Sequence, residues 1–406
     1  MKSKLSTVIV IFGIVFSCWH VGICLGQDRD SFYKELDIFA EGLALIEKKY
    51  VEDKPAKDLI YGAMEGLLAS LDSYSQFLDP DDYKELIVET EGQFGGLGIE
   101  ITMKDGLLTI VSPIEDTPAW LAGATAGDII VKIDGELTKG ITLSEAVKKL
   151  RGEPGSTVVL TVVREKTRTL EDITIIRGII QIKDIKHAVI LDANIGYLRI
   201  AEFRENTARD MDAALLNLKK EGLAGLIIDV RNNPGGLLYS AIEIASRFVP
   251  DGKIIVSTKS RSEKEIVYTS VLAKEKYLDI PLVVLINKGS ASGSEILAAA
   301  LRENDRAILL GETTFGKGSV QTVIPLSDGA ALRLTTSKYY TPNGESIHEK
   351  GINADIVVVP QDQSKESKED VFKALKEQKE NFDYKKDYQI VRAADLLKGI
   401  LVLKGK

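Results

Sequence analysis

The stretch Leu226-Ile227-Ile228-Asp229-Val230-Arg231-Asn232-Asn233-Pro234-Gly235-Gly236 joins a predicted strand to a predicted helix. Its first five residues form a nearly continuous apolar run, which is typical of a strand covered on both faces of a parallel sheet. Asn, Pro and Gly then mark a turn, and a helix is predicted from Leu237 to Phe248. Strand, turn and helix in this order form the repeating unit of α/β folds, so the stretch predicts an α/β domain.

The same alternation of strands and helices continues from Ile182 to Pro360. Pro281 to Asn287 is a second apolar strand, and a helix is predicted from about Ser292 to Arg302. We therefore assign residues 179–360 to one α/β core. A chain of 406 residues is too long for one ordinary domain, so further domains are expected around this core.

The region before the core divides into a helical part and a β-rich part. Residues 27–90 are predicted to be helical, because apolar residues recur there at helical spacing, first at Phe32, Leu36, Phe39, Leu43 and Ile46. Packing or dimerisation is the expected role of these helices. Residues 91–178 contain short alternating strands, and the capping box Thr142-x-x-Glu145 opens one short helix among them. Residues 361–406 are predicted to be a charged C-terminal tail with a weakly amphipathic end from Tyr388 to Leu403.

The N-terminus has the layout of a secretory signal. Lys2 and Lys4 precede an apolar run from about Val8 to Leu25, and Cys24-Leu25-Gly26 supplies small residues for cleavage. An uncleaved anchor is the alternative, because an apolar segment of about 20 residues can span a bilayer. Residues 1–26 are therefore predicted to be a signal peptide or a membrane anchor. The protein is expected in the periplasm or cell envelope, and an uncleaved segment would hold it at the inner membrane.

Composition excludes several classes of function. The net charge of −8 and the lack of a long basic run argue against a nucleic-acid partner. Both cysteines, Cys18 and Cys24, lie in the N-terminal segment, so the remaining chain has no disulfide, cysteine nucleophile or Cys-rich zinc site. Only His187 and His348 follow that segment, which argues against a His-based metal site. We predict neither a metal nor a cofactor.

A candidate nucleophile lies in the sequence Asn287-Lys288-Gly289-Ser290-Ala291-Ser292-Gly293-Ser294-Glu295. A serine between a buried strand and a helix has an exposed hydroxyl, and free backbone N–H groups beside it can stabilise an oxyanion. The alternative is structural, because Ser292-x-x-Glu295 also has the form of a capping box.

A candidate base lies in the sequence Gly311-Glu312-Thr313-Thr314-Phe315-Gly316-Lys317-Gly318-Ser319-Val320-Gln321. It nearly matches a phosphate-binding loop, but Gly318 stands where that loop requires a hydroxyl residue. Lys317 is instead framed by Phe315, glycines and Val320, which favours desolvation. Desolvation lowers the pKa of a lysine, and the neutral amine can then accept a serine proton. An exposed loop lysine is the alternative.

Taken together, these stretches resemble the carboxyl-terminal processing (tail-specific) proteases. The resemblance covers nearly everything from Ser31 to about Val359, and the separation of 25 residues (317 − 292) between Ser292 and Lys317 is the family's own spacing. It implies a multi-domain α/β protein with a ClpP/crotonase-like protease core, an inserted PDZ domain and N-terminal helices. The motifs that carry the resemblance are Ser290-Ala291-Ser292-x-x-Glu295, Gly311-Glu312-x-Thr314-Phe315-Gly316-Lys317-Gly318-x-Val320-Gln321 and Asp229-Val230-Arg231-Asn232-Asn233-Pro234-Gly235-Gly236.

The resemblance also implies residue roles. Ser292 would be the nucleophile, Lys317 the base, and Gln321 would orient that lysine. A straight strand would separate Lys317 from Gln321 by about 13 Å, so their contact requires a turn or a helical step. The oxyanion donors would come from Gly235 or Gly236 together with Gly293.

The segment Gly96-Leu97-Gly98-Ile99 is similar to the carboxylate-binding loop of a PDZ domain. Its N–H groups would receive the C-terminal carboxylate of a polypeptide that adds to the sheet as a strand. The partners implied are polypeptides with accessible C-terminal tails, and they could include an adaptor protein and a second copy of the chain.

Two alternative functions remain open at this point. The first is serine catalysis with His348 or His187 and a carboxylate, although neither histidine has supportive neighbours. The second is a non-catalytic scaffold that holds polypeptide tails. A scaffold would be expected to lack Ser292 or Lys317, and both are present.

Overall fold

The computed structural model describes residues 32–104, 106–114, 116–165, 167–261, 264–359 and 382–405. The predicted signal peptide or anchor, residues 1–26, lies outside these ranges, as does the charged stretch 361–381. None of the helices in the described part of the chain combines the length and the apolar character that a membrane span requires.

The N-terminal region is helical, as the spacing of its apolar residues predicts. Helix α3 begins at the predicted turn, where the Asp79 side chain accepts hydrogen bonds from the N–H groups of Asp81 and Asp82, and it ends at Gly92. Strand β1 pairs with residues 331–333 of the core, which connects this region to the core. The elements are α1 (residues 32–49), α2 (Ala56–Ala69), β1 (Gln76–Leu78) and α3 (Pro80–Glu91).

The β-rich domain is an antiparallel sheet in the order β3-β4-β5-β7-β8, with β6 beside β5. Strand β3 forms one edge of this sheet. The chain enters and leaves the domain through the two-stranded ribbon β2–β9. Thr142 and Glu145 form the predicted capping box at the start of α5. The elements are β2 (Gln93–Gly96), β3 (Ile99–Lys104), β4 (Leu107–Pro113), α4 (Pro118–Leu121), β5 (Ile129–Ile133), β6 (Glu136–Leu137), α5 (Leu143–Leu150), β7 (Thr157–Val163), β8 (Leu170–Ile176) and β9 (Gly178–Gln181).

The core is built on a six-stranded sheet in the order β10-β11-β12-β15-β16-β19, in which only β10 is antiparallel to its neighbour. A second sheet has the order β1-β18-β13-β14, with β17 paired to β18. The elements are β10 (Ile185–Ile190), β11 (Ile195–Ile200), α6 (Thr207–Lys220), β12 (Gly225–Asp229), α7 (Leu238–Ser246), β13 (Ile254–Ser260), β14 (Ile266–Thr269), β15 (Leu282–Ile286), α8 (Gly293–Glu303), β16 (Ala307–Gly311), β17 (Ser319–Pro325), β18 (Ala331–Tyr340), β19 (Ile356–Val357) and α9 (Tyr388–Leu403).

Helices cover the six-stranded sheet on both faces. Alternate strand residues such as Ile228 and Val284 face the cluster formed with α6, α7 and α8. Their neighbours Ile227 and Val283 face the opposite cluster, which α9 completes. Because side chains alternate between the two faces of a strand, a continuous apolar strand needs cover on both. This explains the unbroken apolar sequence of β12.

The prediction that residues 361–406 form a C-terminal tail is wrong for helix α9. Its residues Ile390, Ala393, Leu397 and Leu401 are buried against the sheet. They recur at the three- and four-residue spacing of one helix face, so the weak amphipathic pattern marks a packing face of the core. The C-terminal helix is therefore a layer of the core.

The topology also determines where the loops meet. Strands β12 and β15 are parallel neighbours, and Asp229 at the end of β12 lies opposite Leu285. The carboxyl ends of parallel neighbours point to the same edge of a sheet, where ligands of open α/β sheets bind. The loop before α7 and the loop before α8 are therefore brought side by side.

Candidate active site

Ser292 lies in the turn between β15 and α8 and has an unusual backbone conformation. Its φ of 51° and ψ of −110° are rare for a residue with a side chain. Such a conformation costs on the order of 1–3 kcal/mol and persists only when the surroundings hold it in place. The Ser292 residue is 8% exposed, at the start of a helix whose first turns are buried.

The serine turn is bound to the neighbouring loop that follows β12. The Asn233 carbonyl accepts hydrogen bonds from the Ala291 N–H and from the Ser294 hydroxyl, each at 3.0 Å. The Ser290 hydroxyl donates to the Val230 carbonyl at 2.7 Å. These three bonds hold the two loops together and support the strained residue between them.

The Glu295 carboxylate connects the serine turn to the lysine loop. It is completely buried and accepts four hydrogen bonds. One oxygen accepts from the N–H groups of Ser292 and Lys317, at 2.8 and 2.9 Å. The other accepts from the Gly316 N–H at 2.7 Å and from the Thr314 hydroxyl at 2.6 Å. The backbone nitrogens of Ser292 and Lys317 are thus within two hydrogen-bond lengths of each other.

Lys317 has the environment of a desolvated base. Its side chain is more than half buried, and Nζ lies 5.0 Å from the centre of the Tyr74 ring. Burial lowers the pKa of Lys317, and the positive charge of Arg333 lowers it further, while Glu295 partly opposes both. No hydrogen bond joins Lys317 Nζ to Ser292 Oγ among the described residues. Catalytic hydrogen bonds often form only when substrate is bound.

Gln321 does not contact Lys317 through a hydrogen bond in this structure. It lies on β17, where its amide Nε2 donates to the hydroxyls of Ser319 and Thr335, at 2.8 and 3.4 Å. The register of β17 against β18 shifts between Val320 and Gln321, which interrupts the straight strand. The orienting role of Gln321 stays a prediction.

Two of the three predicted oxyanion donors have free N–H groups. Within the described residues, neither the Gly236 N–H nor the Gly293 N–H has an acceptor. The Gly235 N–H instead donates to the Asn233 side chain at 2.8 Å. Gly235 still needs to be glycine, because its φ is 104° and a Cβ there would lie 2.7 Å from the Ser292 Cβ. Gly236 and Gly293 are therefore the better candidates.

Neither histidine is placed to assist Ser292. His187 lies on β10, and its ring stacks on Phe382 with 4.7 Å between the centroids. The His348 backbone packs against Gly318, but its Nδ1 has no hydrogen-bond partner. Its Nε2 lies 3.9 Å from the Glu349 carboxylate. Among the described residues neither ring forms a hydrogen bond to a carboxylate that could orient it, and a histidine triad requires such a partner, so the geometry does not support the triad.

The segment Gly96–Ile99 forms a loop that leads into the edge strand β3. The Leu97 carbonyl accepts from the Ala119 N–H and the Gly98 carbonyl from the Ile114 N–H, both at 2.8 Å. The N–H groups of Leu97 and Gly98 have no acceptor in the part of the chain that is described. Gly98 has a φ of 76°, and a Cβ there would lie 2.3 Å from Thr117. The loop thus presents free donors beside an open sheet edge.

Sequence reasoning missed three residues that shape the site. Glu295 was recognised only as part of a capping box, and nothing in its sequence indicated its bonds to the lysine loop. Tyr74, which lies just before β1, and Arg333, which lies on β18, both reach Lys317. The pairing of β1 with β18 brings Tyr74 to the lysine, and the pairing of β17 with β18 brings Arg333 there, so no local pattern could have identified them.

The fold and the site agree with similarities to known proteins. Residues 194–358 match peptidase family S41, and residues 109–164 match a PDZ domain. The chain is 44% identical over 336 residues to the carboxy-terminal-processing protease of Bartonella bacilliformis, covering 82% of this chain and 77% of that protein. It is 37% identical over 383 residues to the carboxy-terminal processing protease CtpB of Bacillus subtilis, covering 94% and 78%.

A solved structure agrees at the level of the fold. The putative S41 protease of Bacteroides fragilis is 17% identical, with a TM-score of 0.51 over 88% of this chain and 97% of that chain. The sequence likeness to the two processing proteases extends well beyond the three motifs around the site.

The lowered pKa of Lys317 can be tested without measuring enzymatic activity. A lowered pKa leaves more of the amine neutral at a given pH, so Lys317 should react with acetic anhydride at a lower pH than an ordinary lysine. The Arg333→Gln variant removes a positive neighbour and should raise the pKa of Lys317. Brief labelling across a pH series, followed by peptide mass mapping, measures this, and the other lysines of each digest serve as references.

The matched control is Arg333→Lys, which keeps the charge and should leave the Lys317 labelling curve nearly in place. Equal curves for the wild-type protein and the Gln variant would contradict the influence of Arg333.

Proposed function

Because the chain belongs to peptidase family S41, we propose that Ser292 is the nucleophile and Lys317 the general base of its peptide-cleaving centre. The chain is a carboxy-terminal processing protease of this family and carries a PDZ domain. The observation that carries the residue assignment is the buried Glu295 carboxylate, which binds the N–H groups of both residues.

The proposed reaction begins with transfer of the Ser292 hydroxyl proton to the neutral amine of Lys317. Ser292 Oγ bonds to the carbonyl carbon of the scissile peptide bond, and the carbonyl π electrons move to the oxygen. The Lys317 ammonium then gives its proton to the departing amine as the C–N bond breaks. Water attacks the resulting ester with Lys317 again as base, and this releases the new carboxyl end and restores Ser292.

The negative oxygen of the tetrahedral intermediate needs hydrogen-bond donors. We propose that they are the free N–H groups of Gly293, which follows Ser292 in the chain, and of Gly236, which follows the glycine that adjoins Ser292. Gly293 is the first residue of α8, and the first N–H groups of a helix have no partner within the helix. Donors that are already held in place stabilise such a charge strongly, because no reorganisation is needed during the reaction.

The loop Gly96–Ile99 is proposed to receive the C-terminal carboxylate of a substrate. Its support is the pair of free N–H groups at Leu97 and Gly98, next to the open edge of β3. A polypeptide tail that adds to this edge would form main-chain hydrogen bonds along the strand. The partners proposed are polypeptides with accessible tails, either as substrates or as an adaptor.

Three further proposals concern the whole molecule. The sheet with helices on both faces supports a ClpP/crotonase-like core. Export to the periplasm or cell envelope is supported by the signal-like sequence of residues 1–26. A homodimer is supported by helix α1, whose apolar residues Phe32, Leu36, Phe39 and Ile46 are 48–67% exposed.

The first prediction from this proposal concerns the two catalytic side chains. Ser292→Ala and Lys317→Ala should each reduce cleavage of β-casein, an unfolded protein, by roughly 10⁴-fold or more, because groups that act as a unit fail together. Products are measured by mass spectrometry of timed samples of the full-length protein.

The matched control is Lys288→Ala, which should retain activity. Lys288 is highly exposed and lies in the same turn as Ser292, between β15 and α8. Far-ultraviolet circular dichroism shows whether each variant is folded. A folded Ser292→Ala or Lys317→Ala variant with near-normal cleavage would rule out the proposed pair.

The second prediction concerns recognition of tails. Peptides with a free C-terminal carboxylate should bind the inactive Ser292→Ala protein about tenfold or more tightly than their C-terminal amides, because hydrogen bonds to a charged group contribute about 1.5–3 kcal/mol. Fluorescence anisotropy of labelled peptides measures both affinities. Equal binding of acid and amide would show that the loop does not capture carboxylates.

A further inference from the structure

Arg231 lies at the start of the loop that leads to the proposed oxyanion donors. Its guanidinium binds Asp229 through Nε and Nη2, with the shortest contact at 2.6 Å. Asp229 is completely buried and also accepts a hydrogen bond from the Tyr197 hydroxyl at 2.8 Å. The Arg231 side chain is 12% exposed, so it is held inside the core.

The remaining donors of Arg231 bind the beginning of helix α9. Nη2 lies 2.9 Å from one oxygen of Asp387, and Nη1 lies 3.2 Å from the other. Nη1 also donates to the Gln389 side chain at 2.6 Å. Gln389 is buried, and its own Nε2 donates to the Val358 carbonyl at 2.6 Å. Asp387, the N-cap of α9, and Gln389, in its first turn, thus hold one arginine.

Asp387 is also the N-cap residue of helix α9. Its carboxylate accepts hydrogen bonds from the N–H groups of Gln389 and Ile390, at 3.0 and 3.2 Å, and so caps α9. A carboxylate at a helix N-terminus is also favoured by the helix dipole. The Asp387 carboxylate therefore joins the capped end of α9 to the guanidinium of Arg231.

Hydrogen bonds hold the loop that follows Arg231 as far as Gly235. The Asn232 N–H donates to the Asn287 side chain at 2.9 Å, and the Asn233 side chain donates to the Ile200 carbonyl at 3.0 Å. Asn233 also accepts from the Gly235 N–H. A shift of Arg231 would therefore be passed along a short, tightly bonded segment to Gly236.

We propose that Asp387 and Gln389 of helix α9 are positioning residues for the reaction, which hold Arg231 and thereby align the Gly236 N–H with the oxyanion. This inference rests on the proposed roles of Ser292 and Gly236. Helix α9 lies outside residues 194–358, the part that matches peptidase family S41.

The test is Asp387→Asn in the full-length protein. Asparagine also caps helices well, so this variant retains the cap and removes the charge that faces Arg231. Loss of a direct oxyanion donor costs about 10²–10³ in kcat, so a positioning residue should cost less. We expect kcat to fall about 10- to 100-fold while KM changes less than twofold, for a fluorogenic peptide built on the first bond cut in β-casein.

A peptide aldehyde of the same sequence gives a readout that a merely structural role would not change. It forms a tetrahedral adduct with serine, so its affinity depends on the oxyanion donors. Its inhibition constant should weaken in Asp387→Asn by about the same factor as kcat/KM. The matched control is Asp395→Asn, an exposed carboxylate on the same helix, which should change neither value. If Asp387→Asn does not fold, Gln389→Leu removes the other α9 contact to Arg231 while keeping a similar volume.

The outcomes are distinct. Unchanged kcat and aldehyde affinity in a folded variant would overturn the inference and leave the proposed catalytic pair intact. A lower concentration of active sites with unchanged kcat per site would assign Asp387 a structural role only and would also overturn it. If the wild-type protein forms no aldehyde adduct and cuts no casein, the proposed function fails and the inference fails with it.

Discussion

The Glu295 carboxylate is the contact on which the rest of the site depends. This carboxylate has no solvent exposure. The four hydrogen bonds that it accepts compensate for the loss of its contacts with water. Burial raises the pKa of Glu295, and the four donors oppose that effect. A buried carboxylate that lost these donors would be strongly unfavourable, so the loops that supply them are held where the carboxylate needs them. The positions of Ser292 and Lys317 follow from this requirement.

The architecture around the carboxylate explains how the strain at Ser292 is maintained. Parallel strands β12 and β15 end side by side, and the loops that follow them are joined through Asn233, Ser290 and Ser294. Helices α6, α7 and α8 cover one face of the sheet and α9 the other. This frame lets Ser292 keep a positive φ, and Lys317 lies in the loop before β17, where its Nζ contacts the Tyr74 ring. Local strain and a lowered lysine pKa are thus both consequences of tertiary packing.

The parts of this account that could be predicted from sequence are the parts with local signals. The apolar run before Asp229 indicated a doubly covered strand, and the strand–serine–helix order indicated where Ser292 would lie. Partners on other strands gave no such signal: Tyr74 approaches Lys317 through the pairing of β1 with β18, and Arg333 through the pairing of β17 with β18. Helix α9 was missed because its charged surroundings suggested a tail, whereas four apolar residues at helical spacing are enough to cover a sheet. The spacing between Lys317 and Gln321 permitted a contact without requiring one, and in this structure Gln321 binds other partners.

The most direct test of the central claim is the pH profile of kcat/KM for Glu295→Gln, beside the wild-type protein. The amide of glutamine replaces one acceptor oxygen by a donor, so part of the four-bond arrangement is lost. It also removes the negative charge that raises the pKa of Lys317. Our account predicts that the maximal rate falls about 100-fold or more, because the two loops separate. The rise of kcat/KM with pH, which follows deprotonation of Lys317, should move to lower pH. A folded Glu295→Gln variant with the wild-type maximal rate, and with kcat/KM rising over the same pH range as in the wild-type protein, would contradict this account.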